Sequence, residues 1–516
     1  MLALLLVLIA TLRIVATYTV FSHTADEPAH IGAGMEWLDR HTYTYEPQHP
    51  PLARAAAAIG PYLLGARSQG TPGTGLEPES IEGAKILYHN HQYDLTLAMA
   101  RLGILPFFWI ACVVVYLWAR RTYGAAVAVL AVFFFSFLPP VLAHAGLATT
   151  DMALTAFLGA AFLTAMIWAE TPTWKNGALF GLCTGLAVVS KFSSLVFFPA
   201  AIAIALVGYA VFHKPAAGEI LSRRAASFGL AIVAGALVIA VVFRFDPAPL
   251  FQGIRAVQQH NAEGHPTYLL GQRSTTGFWY FYPVVLAVKT PLALLVLVAI
   301  ALTVAFRSRE TMHRDWPVIS FLAGIFVVAI FSRINIGVRH VLPLYMGFCL
   351  LAAACMPQLI QQARTRAWLR IGLGILLAWY AGSSLIAHPD YLAYTNELTG
   401  GAPEKVLADS DLDWGQDMKR LSARLREVGA TQVAFNPTVV GDYGNEHGFP
   451  RVIPSSPVSP SAGWNAVSIS LWKVRRLGLL ETHPEVTLWP DRAPAGERIG
   501  KGILLWQFAE RATPPK

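Results

Sequence analysis

Charge is scarce in this chain: only 14% of its 516 residues are Asp, Glu, Lys or Arg. A soluble protein of that length would divide into several domains, each wrapped in a charged surface. Cysteine is scarcer still. Cys112, Cys183, Cys349 and Cys355 all lie inside apolar runs, which excludes a disulfide framework or a thiolate-held metal in the polar regions. Also missing are the glycine patterns of nucleotide-binding loops and the Gly-x-Ser-x-Gly of serine esterases, so neither a nucleotide-powered pump nor such an esterase is supported. A basic stripe with interleaved aromatics is lacking too, which argues against nucleic acid as a partner.

What the chain does have is apolar length. It is 55% hydrophobic with a mean hydropathy of +0.48, so the lipid bilayer is the solvent for most of it. About eleven spans are expected, near 2–21, 102–119, 125–143, 152–169, 177–190, 192–212, 226–243, 281–306, 316–331, 341–356 and 368–387. The fifth is short and reads as a broken or partly re-entrant helix. The first lacks a basic n-region and outruns a signal-peptide core, so it reads as a retained helix. Arg13 inside it is expected to snorkel to an interface, unless the start codon is wrongly placed.

Alternating the spans from a cytoplasmic N-terminus puts Arg120, Arg121, Lys175, Lys214, Arg223, Arg224, Arg307, Arg309, Arg314, Arg364, Arg366 and Arg370 on one side. The shorter outer loops carry fewer cations over more residues: Lys191, Arg244, Arg255, Arg273, Arg333 and Arg339. The positive-inside rule then reads as a multi-pass inner (plasma) membrane protein with its N-terminus inside. The C-terminus and the chemistry fall on the periplasmic or extracellular face. A membrane domain (1–387) is followed by a C-terminal domain (388–516). Outside lie a first loop (22–101) with half-apolar helices at 29–40 and 50–67 and a flexible stretch at 70–78, and a middle loop (244–280). The tail reads as a small α/β domain, with a helix at 417–428 and strands at 432–435, 466–471 and 502–508.

The candidates for chemistry sit at the outer ends of the spans. Asp26-Glu27-Pro28 follows the first span, where adjacent carboxylates need solvent, a partner or a metal; a plain helix start is the structural alternative. Asp151 opens the fourth span and, taken alone, reads as a helix cap. His49, Lys191, Arg339 and His340 share that level. Carboxylates and cations gathered at one membrane surface suit transfer from an anionic lipid. One carboxylate takes a proton from an incoming hydroxyl, and the cations stabilise a phosphate leaving group. His260, Asn261 and His265 in the middle loop belong either to a substrate-covering segment or to a solvated connector. A divalent metal ion remains open as a cofactor, with Asp26, Glu27, His89 and His91 as candidate ligands. The run Asp409-x-Asp411-x-Asp413 is not a calcium loop, because its glycine comes one place late and Arg420 stands at position twelve. It reads as a loop capping the tail helix, in contact with the core or an acceptor.

The order Asp26-Glu27-Pro28, His49-Pro50-Pro51-Leu52, Thr149-Thr150-Asp151, Ser190-Lys191-Phe192 and Arg339-His340-Val341-Leu342-Pro343 resembles the GT-C superfamily. In particular it is similar to bacterial glycosyltransferase family 39, related to protein O-mannosyltransferases and the aminoarabinose transferases of lipid A. Gly277-Phe278-Trp279-Tyr280-Phe281-Tyr282, Lys289-Thr290-Pro291 and Asp409 to Asp417 extend the likeness over nearly the whole chain. The resemblance implies a GT-C polytopic α-helical membrane enzyme with a small C-terminal α/β domain, using a polyprenyl-phosphate sugar donor. It places Asp26 at the catalytic centre with Glu27 beside it. Where aminoarabinose transferases carry Glu-Lys-Pro-Pro, this chain has Gln48-His49-Pro50-Pro51. His49 thus stands where a lysine meets the carrier phosphate, and the charge there falls to Lys191, Arg339 or a metal. The expected reaction is an inverting glycosyl transfer to a protein, lipid or envelope glycan, with Asp26 as base. A flippase of lipid-linked sugars, making no bond, is the competing class.

Overall fold

The structure, a computed structural model, describes residues 1–74, 77–213, 217–475 and 477–509. Lys214, among the loop cations above, and residues 75–76 of the expected flexible stretch lie outside the described residues.

Every expected span falls on helix, since a backbone in hydrocarbon can satisfy its N–H and C=O groups only within its own helix. Among the described residues, seven helices are long and apolar enough to cross a membrane, or nine if each of two bent pairs counts once. This is fewer than the eleven expected, for local reasons. Helix α1 (Leu2–Val15) ends after 14 residues, with Leu4, Leu8 and Leu12 exposed along it. Its Arg13 does not snorkel: Nη2 donates to the Ser384 carbonyl at 2.6 Å, and the guanidinium lies near the rings of Phe137 and Tyr391. Downstream come α2 (Asp26–Met35), α3 (Pro51–Leu63), α4 (Pro78–Leu87), α5 (Tyr93–Leu102) and α6 (Leu105–Tyr123).

The first bent pair joins α7 (Ala125–Ser136) to α8 (Pro139–Ala145) at 69°. Leu138 is extended there, as a residue before proline prefers. Then follow α9 (Asp151–Glu170), α10 (Trp174–Ser190), α11 (Ser194–His213) and α12 (Ala217–Val242). Helix α10 is the short fifth segment, an unbroken 17 residues rather than a re-entrant turn. Gly177, Gly181 and Gly185 form a stripe on it that seats α12: a Cβ at Gly181 would lie 2.0 Å from the Ala231 carbonyl oxygen. The second bent pair, α14 (Phe281–Lys289) and α15 (Leu292–Arg307), turns by 116° at Thr290-Pro291.

The outer regions hold more structure than their polarity suggests. In the first loop α2 packs on α3 and α4, and Gly83 lets α4 pass so close that a Cβ would sit 1.7 Å from the Pro28 carbonyl oxygen. The middle loop is α13 (Ala248–Glu263) plus a short hairpin of β1 (Thr267–Leu269) and β2 (Gln272–Ser274). In the tail, Tyr391, Leu392, Leu407 and Trp414 belong to the same apolar cluster as the spans, and a separate core starts only at Met418. That core lies between a helix (Met418–Glu427) and a five-stranded mixed sheet. The strands expected at 432–435, 466–471 and 502–508 occur as Gln432–Ala434, Gly463–Ser468 and Ile503–Phe508.

Candidate functional site

Asp26 and Glu27 leave one helix start in opposite directions. Glu27 is fully buried. Its Oε1 accepts from Arg101 Nε at 2.8 Å and the Ala148 N–H at 2.9 Å, and its Oε2 from Arg101 Nη2 at 2.9 Å and the Thr24 N–H at 2.8 Å. Burial alone would raise its pKa. Arg101 and the two backbone donors outweigh that and hold the carboxyl below its ordinary value. Every lone-pair direction of Glu27 is thereby engaged, away from any cavity. Asp26 keeps a side chain 32% exposed and accepts from Arg339 Nη1 at 2.6 Å.

The second carboxylate is also paired. Lys191 Nζ donates to Asp151 Oδ1 at 2.5 Å, both side chains being buried, and Asp151 Oδ2 has no partner. Lys191 takes up an extended conformation as α10 ends (φ −162°, ψ 133°), which frees the side chain to reach across to the start of α9. Arg339 stands on a short helical turn (Val338–Val341) whose approach needs Gly337: at φ +86°, a Cβ there would lie 2.8 Å from the Asp411 carboxyl carbon.

Around these cations sit histidines that burial keeps neutral. His49 is pushed down to about 3 by burial and then by Lys191, and His340 to about 3 by the same two causes. His30 falls well below its ordinary value through burial and the adjacent Arg54, which donates to its Nδ1 at 3.0 Å. His49 Nδ1 and His340 Nδ1 are shut from solvent and have no partner. His49 is therefore a poor stand-in for a charged lysine.

These groups surround a cavity of about 540 Å³ lined by Asp26, His49, Lys191, Arg339 and His340, with His260 of α13 and His265 just beyond that helix on its wall. His260 is tied to Gln48 at 3.0 Å and to His265 at 3.3 Å. Asn261 turns away and accepts the Arg333 N–H at 3.1 Å. Asp151 backs Lys191 without lining the cavity, and His89 and His91 lie elsewhere, His91 against Glu446. A larger cavity of about 800 Å³ sits at the far end of α9, but it holds none of the residues picked out for chemistry.

A family model described as dolichyl-phosphate-mannose-protein mannosyltransferase matches residues 97–243. No curated protein matches the chain in sequence. Among solved structures, ArnT from Cupriavidus metallidurans bound to undecaprenyl phosphate superposes over 97% of both chains, with 12% identity and a TM-score of 0.53. The fold is that of the GT-C glycosyltransferases. The apo form of the same ArnT agrees equally well, with a TM-score of 0.53 at 13% identity and 97% coverage of each chain. The archaeal oligosaccharyltransferase AglB from Archaeoglobus fulgidus is a looser likeness, with a TM-score of 0.45 and 13% identity over 78% of this chain and 58% of its own, and adds nothing further.

Within this GT-C fold the metal candidates do not converge. Among the described residues no three His, Cys, Asp or Glu side chains gather where an ion could be held. Asp26 and Glu27 serve different arginines and His91 meets Glu446, so these candidates do not share one site. Four contributors escaped sequence reasoning. Arg101 is a buried cation whose partner Glu27 is remote in the chain, Arg54 is a buried cation paired with nearby Glu46, and His30 sits mid-helix. The fourth is Trp414, whose ring lies 4.1 Å from Arg339 Cζ. Only Trp414 carried a signal, standing inside the acidic run that was read as a capping loop.

Proposed function

We propose that this chain transfers a sugar from a polyprenyl-phosphate carrier to an acceptor outside the membrane, with inversion and with Asp26 as the base. The observation that carries this reading is Asp26 paired to Arg339 on the wall of a cavity that Lys191 also enters. The ArnT likeness and its bound undecaprenyl phosphate support a lipid-phosphate donor. The acceptor belongs to the class of proteins, lipids or envelope glycans. The loop charges support an N-terminus in the cytoplasm and a site on the outer face of the plasma membrane.

The reaction is a single displacement. Asp26 takes the proton of an acceptor hydroxyl or amine, whose lone pair attacks the anomeric carbon from the side opposite the phosphate. The bond from that carbon to the phosphate oxygen breaks, and polyprenyl phosphate leaves with the electron pair. Its charge is met by Arg339 and Lys191 in a site shut largely from water. His49 and His340, being neutral, contribute N–H donors and no charge. Carrier phosphate competes for Arg339, so its arrival loosens the guanidinium from Asp26 and leaves the carboxylate able to accept a proton.

The two bent helix pairs are the feature that would also suit a flippase of lipid-linked sugars. Donor consumption separates the two. Membranes holding wild type or Asp26→Asn receive a panel of polyprenyl-phosphate sugars with crude envelope extract as acceptor, and free polyprenyl phosphate is read by mass spectrometry. Release by wild type alone is expected. Near-normal release by Asp26→Asn removes Asp26 as the base, and no release by either protein removes the transferase.

A further inference from the structure

The geometry points to Trp414 as a positioning residue of the transfer site, through which the C-terminal region sets the Asp26–Arg339 pair. This deepens the reading above and rests on it. The guanidinium of Arg339 lies over the indole, Cζ 4.1 Å from the ring centroid, and Trp414 is only 5% exposed. A ring face attracts a guanidinium and directs its N–H donors around the ring. In this seat Nε donates to the Ile336 carbonyl at 3.1 Å and Nη1 to Asp26 at 2.6 Å, while Nη2 makes no hydrogen bond to the described protein. One edge of the guanidinium is thus left for an oxyanion.

Trp414 also holds the other member of the pair. Its carbonyl accepts the N–H of Ala25, the residue before Asp26, at 2.9 Å. The backbone of Trp414 is braced in turn: its main-chain N–H donates to Gln416 Oε1 at 2.7 Å, and the Gln416 carbonyl accepts the Ser22 N–H at 3.0 Å. On the Arg339 side, Ser410 Oγ donates to the Ile336 carbonyl at 2.6 Å and Asp411 Oδ1 accepts the Val338 N–H at 2.9 Å. One short run, 410–416, therefore grips the chain beside both reacting partners.

A tryptophan that merely fills space needs volume, whereas one that positions a cation needs a π-face. Phenylalanine keeps the face, and leucine keeps apolar bulk without it. Purified full-length wild type, Trp414→Phe and Trp414→Leu are compared for undecaprenyl phosphate binding by native mass spectrometry. Donor and acceptor KM and Tm are measured alongside. Trp414→Leu is expected to weaken carrier binding and raise the donor KM about tenfold, with Trp414→Phe within about threefold of wild type. The acceptor KM stays unchanged. A fall in kcat alone, or carrier binding by Trp414→Leu equal to wild type, overturns the proposal. If Trp414→Leu does not fold, Trp414→Met, which also lacks the ring face, takes its place alone and combined with Arg339→Lys; costs that simply add overturn it as well. Failure of wild type to bind undecaprenyl phosphate is a different failure, seen before any substitution, and removes the reading of the cavity itself.

Discussion

Two arginine–carboxylate pairs lie on either side of one peptide bond and differ in almost everything else. Glu27 with Arg101 is sealed, with both carboxylate oxygens engaged by donors and side chains 0% and 1% exposed. Asp26 with Arg339 has one carboxylate oxygen bonded, stands 32% exposed and faces a cavity. A buried charge with all its hydrogen bonds made is a fixture, because any movement leaves a charge unpaired in a low dielectric. A half-exposed pair can open, since water or a substrate phosphate can replace either partner. Chemistry thus belongs to the pair that is incompletely satisfied.

The strongest way to break this comparison is to disturb the sealed pair. Glu27→Gln leaves Arg101 as an unpaired buried charge and should cost about 3–5 kcal/mol, seen as loss of monodisperse protein or a large fall in Tm. A Glu27→Gln protein with wild-type Tm and no activity would move Glu27 from framework to chemistry. Asp26→Asn should do the reverse: turnover falls about 10²–10⁴-fold, while stability shifts by less than about 1 kcal/mol. Between these lies Lys191→Met, which strands buried Asp151 at about 3 kcal/mol. Adding Asp151→Asn should restore the folded yield but not carrier binding, separating the two duties of Lys191.

Acidity gives a smaller effect with a definite sign. His340 and His49 bind a proton near pH 6.5 when unfolded but only near about 3 when folded. The unfolded chain therefore binds more protons across that window, so stability is full above about pH 6.5 and is lost as pH falls toward 3. Thermal unfolding from pH 8 to 4 should show it, and His340→Gln should flatten the curve. A donor affinity that rises sharply on acidification through pH 6.5 would show that His49 is charged when carrier binds. Smallest of all, His91→Ala should change stability by no more than about 0.5 kcal/mol and leave turnover within twofold.

Much of this molecule was legible in sequence because lipid leaves few options. Apolar runs had to be helices, and the cations and carboxylates at span ends had few places to go but one surface. Asp26, Lys191, Arg339 and His49 do share one cavity. What stayed hidden depends on contacts between distant parts of the chain. Nothing local separates Glu27 from Asp26; Arg101, 74 residues away, decides it. The acidic run near Asp411 reads as a capping loop, but its sequence does not tell that Asp411, Asp413 and Asp417 are buried beneath backbone N–H donors. The middle loop reads equally as a lid or a connector because its helix, α13, shows too little apolar character for periodicity to announce it.

The run that carries Trp414 has a consequence for the time at which the protein becomes active. The ribosome makes Asp26 before the spans that follow it, Arg339 long after it, and Trp414 later still. Asp417, three residues on, accepts the N–H groups of Lys501 and Gly502 at 2.9 Å each, so the run is itself held by residues 84 and 85 positions further along the chain. On the proposed mechanism a nascent chain already threaded into a membrane full of carrier lipid has its base but not its braced cation. It stays inert until residues 501 and 502 have been made and folded back, so the site is armed by the C-terminal domain rather than by insertion of the spans.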